Sequence, residues 1–376
     1  MPVPPDFDFF TRSEGLPLPL VSRCLAQSLR VIVLDMGDAL CPLKFHEIFK
    51  ERPWAWDGLR SVCGKTFPAG ARIGESWEVA DLGEDVSVVK DGPLAGASLR
   101  DLIGRFPDRM LGAGNHGGRL PLLFKLIAAG EPLSIQVHPD DQYAAKQRPG
   151  ACGKMEAWHI LHAEPDAWIV LGLNRLTDRI ELEELLATGE FEKLLHRIPV
   201  KAGETYLVRP GIVHAVGPGI VLAEIQQSSD ITYRLHDWGR NGLDGKPREL
   251  HLSDALNVVK CRQPKQTRCE PKEISAGGAL HWQKLVECDM FVFERIVVEG
   301  DEALLPPREC FEILYVVEGA GLLKQPSSLF RRRSPVPIRK GESALLPVLP
   351  DGVFLVPEGR MVVLLADPGP ALGGRR

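Results

Sequence analysis

The sequence indicates its fold most clearly in the stretch Ser134-Ile135-Gln136-Val137-His138. Side chains two apart in a β-strand point to the same face, so Ser134, Gln136 and His138 would project together. Ile135 and Val137 would face the opposite way, where apolar residues suit a core. A polar row on the inner face of a barrel costs free energy unless it binds something. Taken alone, the stretch fits a metal-ligand pair and a hydrogen-bonded structural pair equally well.

Two further segments carry residues of the same chemical kind. Lys154 and Glu156 alternate with apolar neighbours, so they share a face, although a surface salt bridge would show the same pattern. His214 follows a tight Pro210-Gly211 turn, which would fix an inward-pointing imidazole, whether as a ligand or as a core histidine.

Together these segments supply glutamine, histidine, glutamate and histidine from well-separated strands. Mixed nitrogen and oxygen ligands suit zinc, with manganese, iron, cobalt or nickel as alternatives. A helix would have placed its ligands four residues apart, so the scattered positions favour a site at the mouth of a β-barrel.

The rest of the chain fits a mainly β protein. It contains 31 prolines and 37 glycines, scattered as expected for many short strands joined by turns. The run 122–127 is apolar enough for a buried strand or a short helix. Residues 177–198 form the clearest helical pattern, with Thr177 as a candidate cap. Residues 261–279 have the composition of a linker.

The length of 376 residues predicts about two domains. We expect an N-terminal extension over 1–42, in which 30–35 is a candidate short strand. A catalytic metal-binding domain would follow over 43–262, with a helical insertion at about 177–198. A C-terminal domain without a metal site would occupy 263–376, because it lacks a His-x-His or Gln-x-His pattern. The triple arginine 331–333 has the pattern of a solvated loop.

Composition excludes several classes of protein. The formal net charge is −5, which gives no electrostatic reason to bind nucleic acid or an anionic membrane. No apolar run reaches the roughly 20 residues of a membrane helix, and the N-terminus lacks the features of a signal peptide. The eight cysteines form no Cys-x-x-Cys pair and read as reduced thiols. We therefore expect a cytoplasmic protein. As a separate expectation, we expect it to be a monomer.

Five blocks of sequence resemble type I mannose-6-phosphate isomerases, in their shorter bacterial form. The blocks are GESW from Gly74, PLLFKLIAAGEPLSIQVHPDD from Pro121, GKMEAW from Gly153, PGIVHAVGPGIVLAEIQQSSDITYRLHDWGR from Pro210 and RELHLSDAL from Arg248. The resemblance runs from about Pro42 to the C-terminus. It implies two cupin-type β-barrel or jelly-roll domains, and a zinc-dependent conversion of mannose 6-phosphate to fructose 6-phosphate through a cis-enediol. It also implies a role in mannose metabolism and in supplying the precursor of GDP-mannose.

The resemblance assigns roles to particular residues. It implies one Zn²⁺ per chain, with Gln136, His138, Glu156 and His214 as ligands. Its active-site arginine matches Arg234, and its pocket lysine matches Lys154. Glu224, Asp230 and Ser134 fall on further pocket positions, and the general base stays open among Lys154, Glu224 and Asp230. Ser134, Lys154 and Arg234 are candidates for holding the phosphate. Some longer relatives carry a histidine where this chain has Gly153.

Two other functions remain open on the sequence. A different cupin enzyme, such as an epimerase or oxygenase, would use the same fold, although an oxygenase more often shows a facial triad of ligands. A non-catalytic sugar-phosphate sensor would also use it, because fold alone does not establish activity.

Overall fold

The computed structural model describes residues 40–112, 114, 117–262, 268–277, 280–326 and 334–374. The unit from Cys41 onward is compact. Most of the expected extension 1–42, with its candidate strand, lies outside the described residues, as does the triple arginine 331–333.

Two sheets make up the first half of this unit. A seven-stranded antiparallel sheet has the order β1-β2-β5-β12-β7-β10-β14, a five-stranded sheet has the order β13-β6-β11-β8-β9, and β3 pairs with β4. The strands are β1 Ile48–Glu51, β2 Ile73–Val79, β3 Asp81–Leu82, β4 Asp85–Val86, β5 Leu122–Ala129, β6 Ile135–Val137, β7 Glu156–Ala163, β8 Trp168–Leu173, β9 Leu195–Pro199, β10 Thr205–Val208, β11 His214–Val216, β12 Ile220–Gln227, β13 Tyr233–His236 and β14 Arg268–Cys269.

The apolar run at 122–127 belongs to a strand, β5, and not to a helix. Every residue of β5 is buried, because both faces of the large sheet are covered. Ile127 packs inward with Ile169 and Leu171 of the small sheet. On the outer face, the Phe124 ring lies 6.4 Å from the ring of Phe293, which belongs to the second half.

Helices are short and lie at the edges of the sheets. They are α1 Gly58–Ser61, α2 Leu99–Arg105, α3 Pro107–Met110, α4 Asp141–Gln147, α5 Arg179–Thr188 and α6 Leu252–Val258, with 3-10 turns at Phe191–Leu194 and Pro370–Leu372.

The helical pattern at 177–198 is only partly confirmed. The cap is Asp178, not Thr177, because the Asp178 carboxylate accepts a hydrogen bond from the Glu181 amide at 2.9 Å. The helix α5 ends at Gly189, whose φ of 75° favours glycine. Leu195 then opens β9, so the end of the expected insertion is a strand.

The second half repeats the arrangement of two facing sheets. A six-stranded sheet has the order β15-β16-β17-β24-β19-β22, and a four-stranded sheet has the order β18-β23-β20-β21. The strands are β15 Lys272–Gly277, β16 Leu280–Glu287, β17 Phe291–Glu299, β18 Ala303–Leu305, β19 Glu312–Glu318, β20 Ala320–Lys324, β21 Val336–Arg339, β22 Ser343–Leu346, β23 Val353–Pro357 and β24 Arg360–Pro368. The linker expected at 261–279 therefore contains two strands, β14 and β15. The mainly β fold is confirmed.

The two halves are joined by more than the covalent chain. Leu43 and Leu345 exchange two backbone hydrogen bonds of 2.8 Å. Behind them, the buried Lys65 ammonium lies 2.7 Å from Glu78, which also accepts a 3.1 Å hydrogen bond from the Ser343 hydroxyl. The division into domains 43–262 and 263–376 stays a prediction.

The structure also bears on membrane-spanning helices and on the state of the cysteines. In the described part of the chain, no helix is both long and apolar enough to cross a membrane. The seven cysteines among the described residues are free thiols in the structure.

Candidate metal centre and its cavity

Three predicted ligands meet at the ends of three strands. His138 directly follows β6, Glu156 opens β7 and His214 opens β11. The turn before His214 requires glycine: Gly211 has a φ of 83°, and a Cβ there would lie 2.8 Å from the Val258 carbonyl oxygen.

The ligand atoms of these residues converge on one point. The Nε2 atoms of His138 and His214 lie 3.1 Å apart, and His138 Nε2 lies 3.2 Å from Glu156 Oε1. Two ligand atoms bound about 2.0–2.1 Å from a tetrahedral zinc would lie roughly 3.3 Å apart. All three side chains are buried.

Backbone carbonyls orient the two imidazoles toward that point. His138 Nδ1 lies 2.9 Å from the Ile231 oxygen, and His214 Nδ1 lies 2.8 Å from the Ile212 oxygen. A carbonyl oxygen accepts only, so each Nδ1 carries the proton and each Nε2 presents a lone pair. Two lone pairs 3.1 Å apart repel each other unless a cation lies between them. The residues therefore fit a divalent metal.

Burial keeps the ligands in the form that binds metal. It lowers the pKa of His138 to about 3, with Lys154 adding to the effect, and it also lowers the pKa of His214. Burial alone would raise the pKa of Glu156, but Lys154 and His138 hold it well below its usual range. At neutral pH the site thus presents two neutral imidazoles and a carboxylate.

The fourth predicted ligand, Gln136, lies beside this cluster. It is the strand partner of His214 on one side and of Arg234 on the other, and its side chain lines the cavity above the cluster. Its assignment as a ligand stays a prediction.

Lys154 reaches the cluster directly. Its ammonium lies 2.8 Å from Glu156 Oε1 and 3.3 Å from His138 Nε2. The neighbouring Gly153 has no room for a side chain, because a Cβ would lie 2.6 Å from the backbone of Asp140 and Asp141. The local backbone explains why this chain has glycine there.

Arg234 lies at the cavity wall without a carboxylate partner among the described residues. Its Nε donates to Ser134 Oγ at 3.3 Å, and Nη1 donates to the Glu249 carbonyl at 2.9 Å. The acidic groups nearby are engaged elsewhere: Asp237 pairs with Arg240 and Arg248, and Asp230 pairs with Arg148. The structural ion pairs that could have explained Arg234 are therefore not formed.

Glu224 is the buried acid of the cavity, whereas Asp230 is exposed at its edge. Glu224 Oε1 lies 2.9 Å from the Lys125 ammonium, and Oε2 accepts from Trp158 Nε1 at 2.8 Å. Burial and the nearby Glu156 charge raise the pKa of Glu224 to about 7, although Lys125 opposes them. Asp230 is half exposed and makes a 2.7 Å ion pair with Arg148.

The sequence reading missed Lys125 and Glu75, which line the same cavity. Burial alone would lower the pKa of Lys125, but the nearby carboxylates of Glu224 and Glu75 raise it. Burial alone would raise the pKa of Glu75, but the positive charges of Lys125 and Arg52 bring it to about 2. The signal was available: Lys125 is the one charged residue in the apolar run of β5, and it shares the inward face with Ile127.

The cavity has a volume of about 810 Å³, which is within the usual range for a small-molecule site. Six of the residues predicted for the site line the wall of this cavity: Ser134, Gln136, Lys154, Glu224, Asp230 and Arg234. Its other polar lining residues include Lys50, Arg52, Asp85, Arg248 and His251, which were not foreseen.

Facing sheets with a buried two-histidine, one-glutamate cluster below an open cavity define a cupin-type protein suited to holding a divalent metal. Residues 43–168 match the family model described as phosphomannose isomerase type I, catalytic domain. Mannose-6-phosphate isomerase ManA of Bacillus subtilis (strain 168) is 36% identical over 307 residues, covering 81% of this chain and 93% of that protein. The chain belongs to the type I phosphomannose isomerase family, and it is an enzyme of the isomerase class.

Another relative and two solved structures are also similar to this chain. The mannose-6-phosphate isomerase of Streptococcus mutans is 31% identical over 306 residues, covering 81% of this chain and 92% of that protein. The crystal structure of the Bacillus subtilis mannose 6-phosphate isomerase superposes with a TM-score of 0.78 at 31% identity, covering 86% and 99% of the two chains. A phosphomannose isomerase variant from Salmonella typhimurium shares the fold, with a TM-score of 0.68 at 20% identity over 87% and 99%.

Proposed function

We propose that this chain interconverts mannose 6-phosphate and fructose 6-phosphate through a cis-enediol, with one zinc ion per chain. The relatives named above are called mannose-6-phosphate isomerases, which supports this substrate. We further propose that the enzyme acts as a cytoplasmic monomer in mannose metabolism and in supplying the precursor of GDP-mannose.

The observation that carries the proposal is the pair of facing imidazole lone pairs 3.1 Å apart beside a buried carboxylate. We assign His138, Glu156 and His214 as metal ligands, with Gln136 as the fourth. When bound there, zinc supplies Lewis-acid stabilisation of developing negative charge on the sugar oxygens. The same donor set would accept manganese, iron, cobalt or nickel.

The residues around the metal centre fit the charge that develops in this reaction. Moving a proton between C2 and C1 of an open-chain sugar places negative charge on O1 and O2. Arg234 has a guanidinium that no described carboxylate neutralises, so we assign it to stabilising that charge. Lys154 adds a second positive charge 2.8 Å from Glu156.

A proton-transfer group must hold and release a proton near neutral pH. Glu224 fits this need better than Asp230, because its pKa of about 7 lies close to the working pH and it is buried in the cavity. Asp230 is exposed and paired with Arg148. We therefore assign proton transfer to Glu224 and a position at the rim to Asp230.

The phosphate group of the substrate also requires hydrogen-bond donors in the cavity. Ser134 and Arg234 lie together on the wall formed by β6 and β13, joined by the 3.3 Å contact between Arg234 Nε and Ser134 Oγ. A guanidinium and a hydroxyl are both good phosphate donors. We propose that they orient the substrate, with Lys154 as the third donor.

The experiment is a metal titration of the purified chain. Chelation should abolish the conversion of mannose 6-phosphate, and added zinc should restore it up to one equivalent per chain. His214→Ala should lose both zinc and turnover. Full turnover in protein shown to be metal-free would contradict the metal assignment. Binding of mannose 6-phosphate without turnover in the zinc-loaded chain would favour a sensor instead.

A further inference from the structure

A second cavity lies on the other side of the Arg148–Asp230 ion pair. We call it the Arg119–Arg148 cavity, after the two arginines in its lining, and it has a volume of about 540 Å³. Ser229 lines both this cavity and the substrate cavity, so the two are neighbours. Asp230 lines only the substrate cavity and Arg148 only the other.

Hydrogen bonds hold the walls of this cavity in place. The Ser228 amide donates to the Pro121 oxygen at 2.9 Å, which fixes the loop that carries Arg119. The Ser229 hydroxyl donates to the Cys152 oxygen at 3.0 Å, which fixes the loop after Arg148. Both loops are thus bonded to one turn, which joins the two walls of the cavity.

The charge of the cavity is positive. Arg119 is exposed, and no described carboxylate lies within ion-pair distance of it. Arg148 has only the ion pair with Asp230, in which both side chains are more than half exposed. The one acid in the lining, Asp81, is buried and already neutralised, because it accepts from Arg100 at 2.7 Å and from the Leu120 amide at 3.2 Å.

This local charge contrasts with the formal net charge of −5 for the whole chain. A concave site lined by one sign of charge concentrates ions of the opposite sign. Two guanidinium groups match the oxygens of a phosphate group, because each presents donors in a planar fork. The volume would admit a small phosphate ester but not a macromolecule.

We propose that the Arg119–Arg148 cavity binds the phosphate group of a small phosphorylated metabolite, at a site separate from the substrate cavity. This proposal does not depend on the isomerase reaction, because none of the proposed metal ligands lines the Arg119–Arg148 cavity. Inorganic phosphate and a phosphate ester offer the same group, and both serve as probes.

The test measures phosphate binding to the zinc-loaded full chain by titration calorimetry. Arg119→Gln should weaken one class of phosphate sites by about 10-fold, the loss expected for one charge-assisted contact. Arg339→Gln removes another exposed arginine, in the second half, and should bind phosphate as the wild type does. Repeating the titration with glycerol 3-phosphate distinguishes a site for phosphate alone from one that also uses the organic part, and tighter or equal binding of the ester both support the site.

Several outcomes would overturn the proposal. Arg119→Gln could bind both probes like the wild type, or the two variants could lose binding equally, which would indicate net charge alone. A raised KM for the substrate in Arg119→Gln would make this cavity part of the substrate site. A wild-type chain without turnover would contradict the isomerase proposal yet leave the phosphate titration readable.

Discussion

Replacing Arg234 with alanine separates chemistry from folding at this site. In the structure its guanidinium makes two contacts, a 3.3 Å bond to Ser134 and a 2.9 Å bond to the Glu249 carbonyl. Neither is an ion pair, and the side chain is partly exposed. Losing them should cost about 1 kcal/mol of unfolding free energy, which lowers the Tm by about 3 °C or less in a chain of this size.

The effect on turnover should be far larger. A positive charge held in place before the reaction stabilises the enediolate more than the ground state. Its removal should lower kcat on the order of 100-fold or more. Zinc content should stay near one per chain, because Arg234 does not touch His138, Glu156 or His214. Arg234→Lys should recover part of the loss, since lysine keeps the charge but not the planar fork.

Arg240→Ala is the matched control. Arg240 belongs to the same chain segment but pairs with Asp237 at 2.9 Å and does not line the cavity. This control should lower the Tm while the folded enzyme keeps its kcat. Zinc content, Tm and kcat measured on the same preparations decide the matter. An Arg234→Ala protein with normal zinc and wild-type turnover would refute the assigned role.

Three other changes have expected outcomes. Glu224→Gln should lower kcat by about 100-fold or more without releasing zinc, because it removes the proposed proton carrier; a pH profile of the wild type should show a group near 7, and an unchanged profile in the variant would exclude Glu224. Lys125→Met should raise the pKa of Glu224, because the Lys125 charge opposes the effect of burial. The pH profile of activity should therefore shift upward, and a downward shift would contradict this reasoning. His159 is buried, and burial lowers its pKa to about 4. Its contribution to the unfolding free energy is therefore fully present above pH 6.5 and falls by about 3 kcal/mol as the pH drops toward 4. In His159→Asn, the unfolding free energy measured over this pH range should lack that fall.

Strand alternation offered candidate ligands, but on the residues alone a structural pair fitted as well, and the resemblance to the isomerase family supplied the ligand set. Alternation placed His138 and Glu156 on inward faces, and the Pro210-Gly211 turn placed His214. Alternation gives no register between strands, however. The 3.1 Å approach of the Nε2 atoms of His138 and His214 follows from the pairing of β6 with β11, which the sequence alone did not show.

Other features depended on contacts distant in sequence. Lys125 lies in an apolar strand, and its buried charge is explained only by Glu224, about a hundred residues away. Arg234 makes no ion pair with Asp237, because Asp237 already pairs with Arg240 and Arg248. The first cap of α5 was misplaced by one residue, because Thr177 and Asp178 are both good caps and only geometry chooses.

The most direct test of the isomerase assignment follows mannose 6-phosphate by NMR in D₂O with the zinc-loaded chain. We expect fructose 6-phosphate to form until it reaches equilibrium with mannose 6-phosphate. Part of it should carry deuterium at C1, because the proton passes through an exchangeable group. The reaction should stop when the metal is chelated and resume when zinc is returned. A folded, zinc-loaded chain that leaves mannose 6-phosphate unchanged would contradict the proposed function.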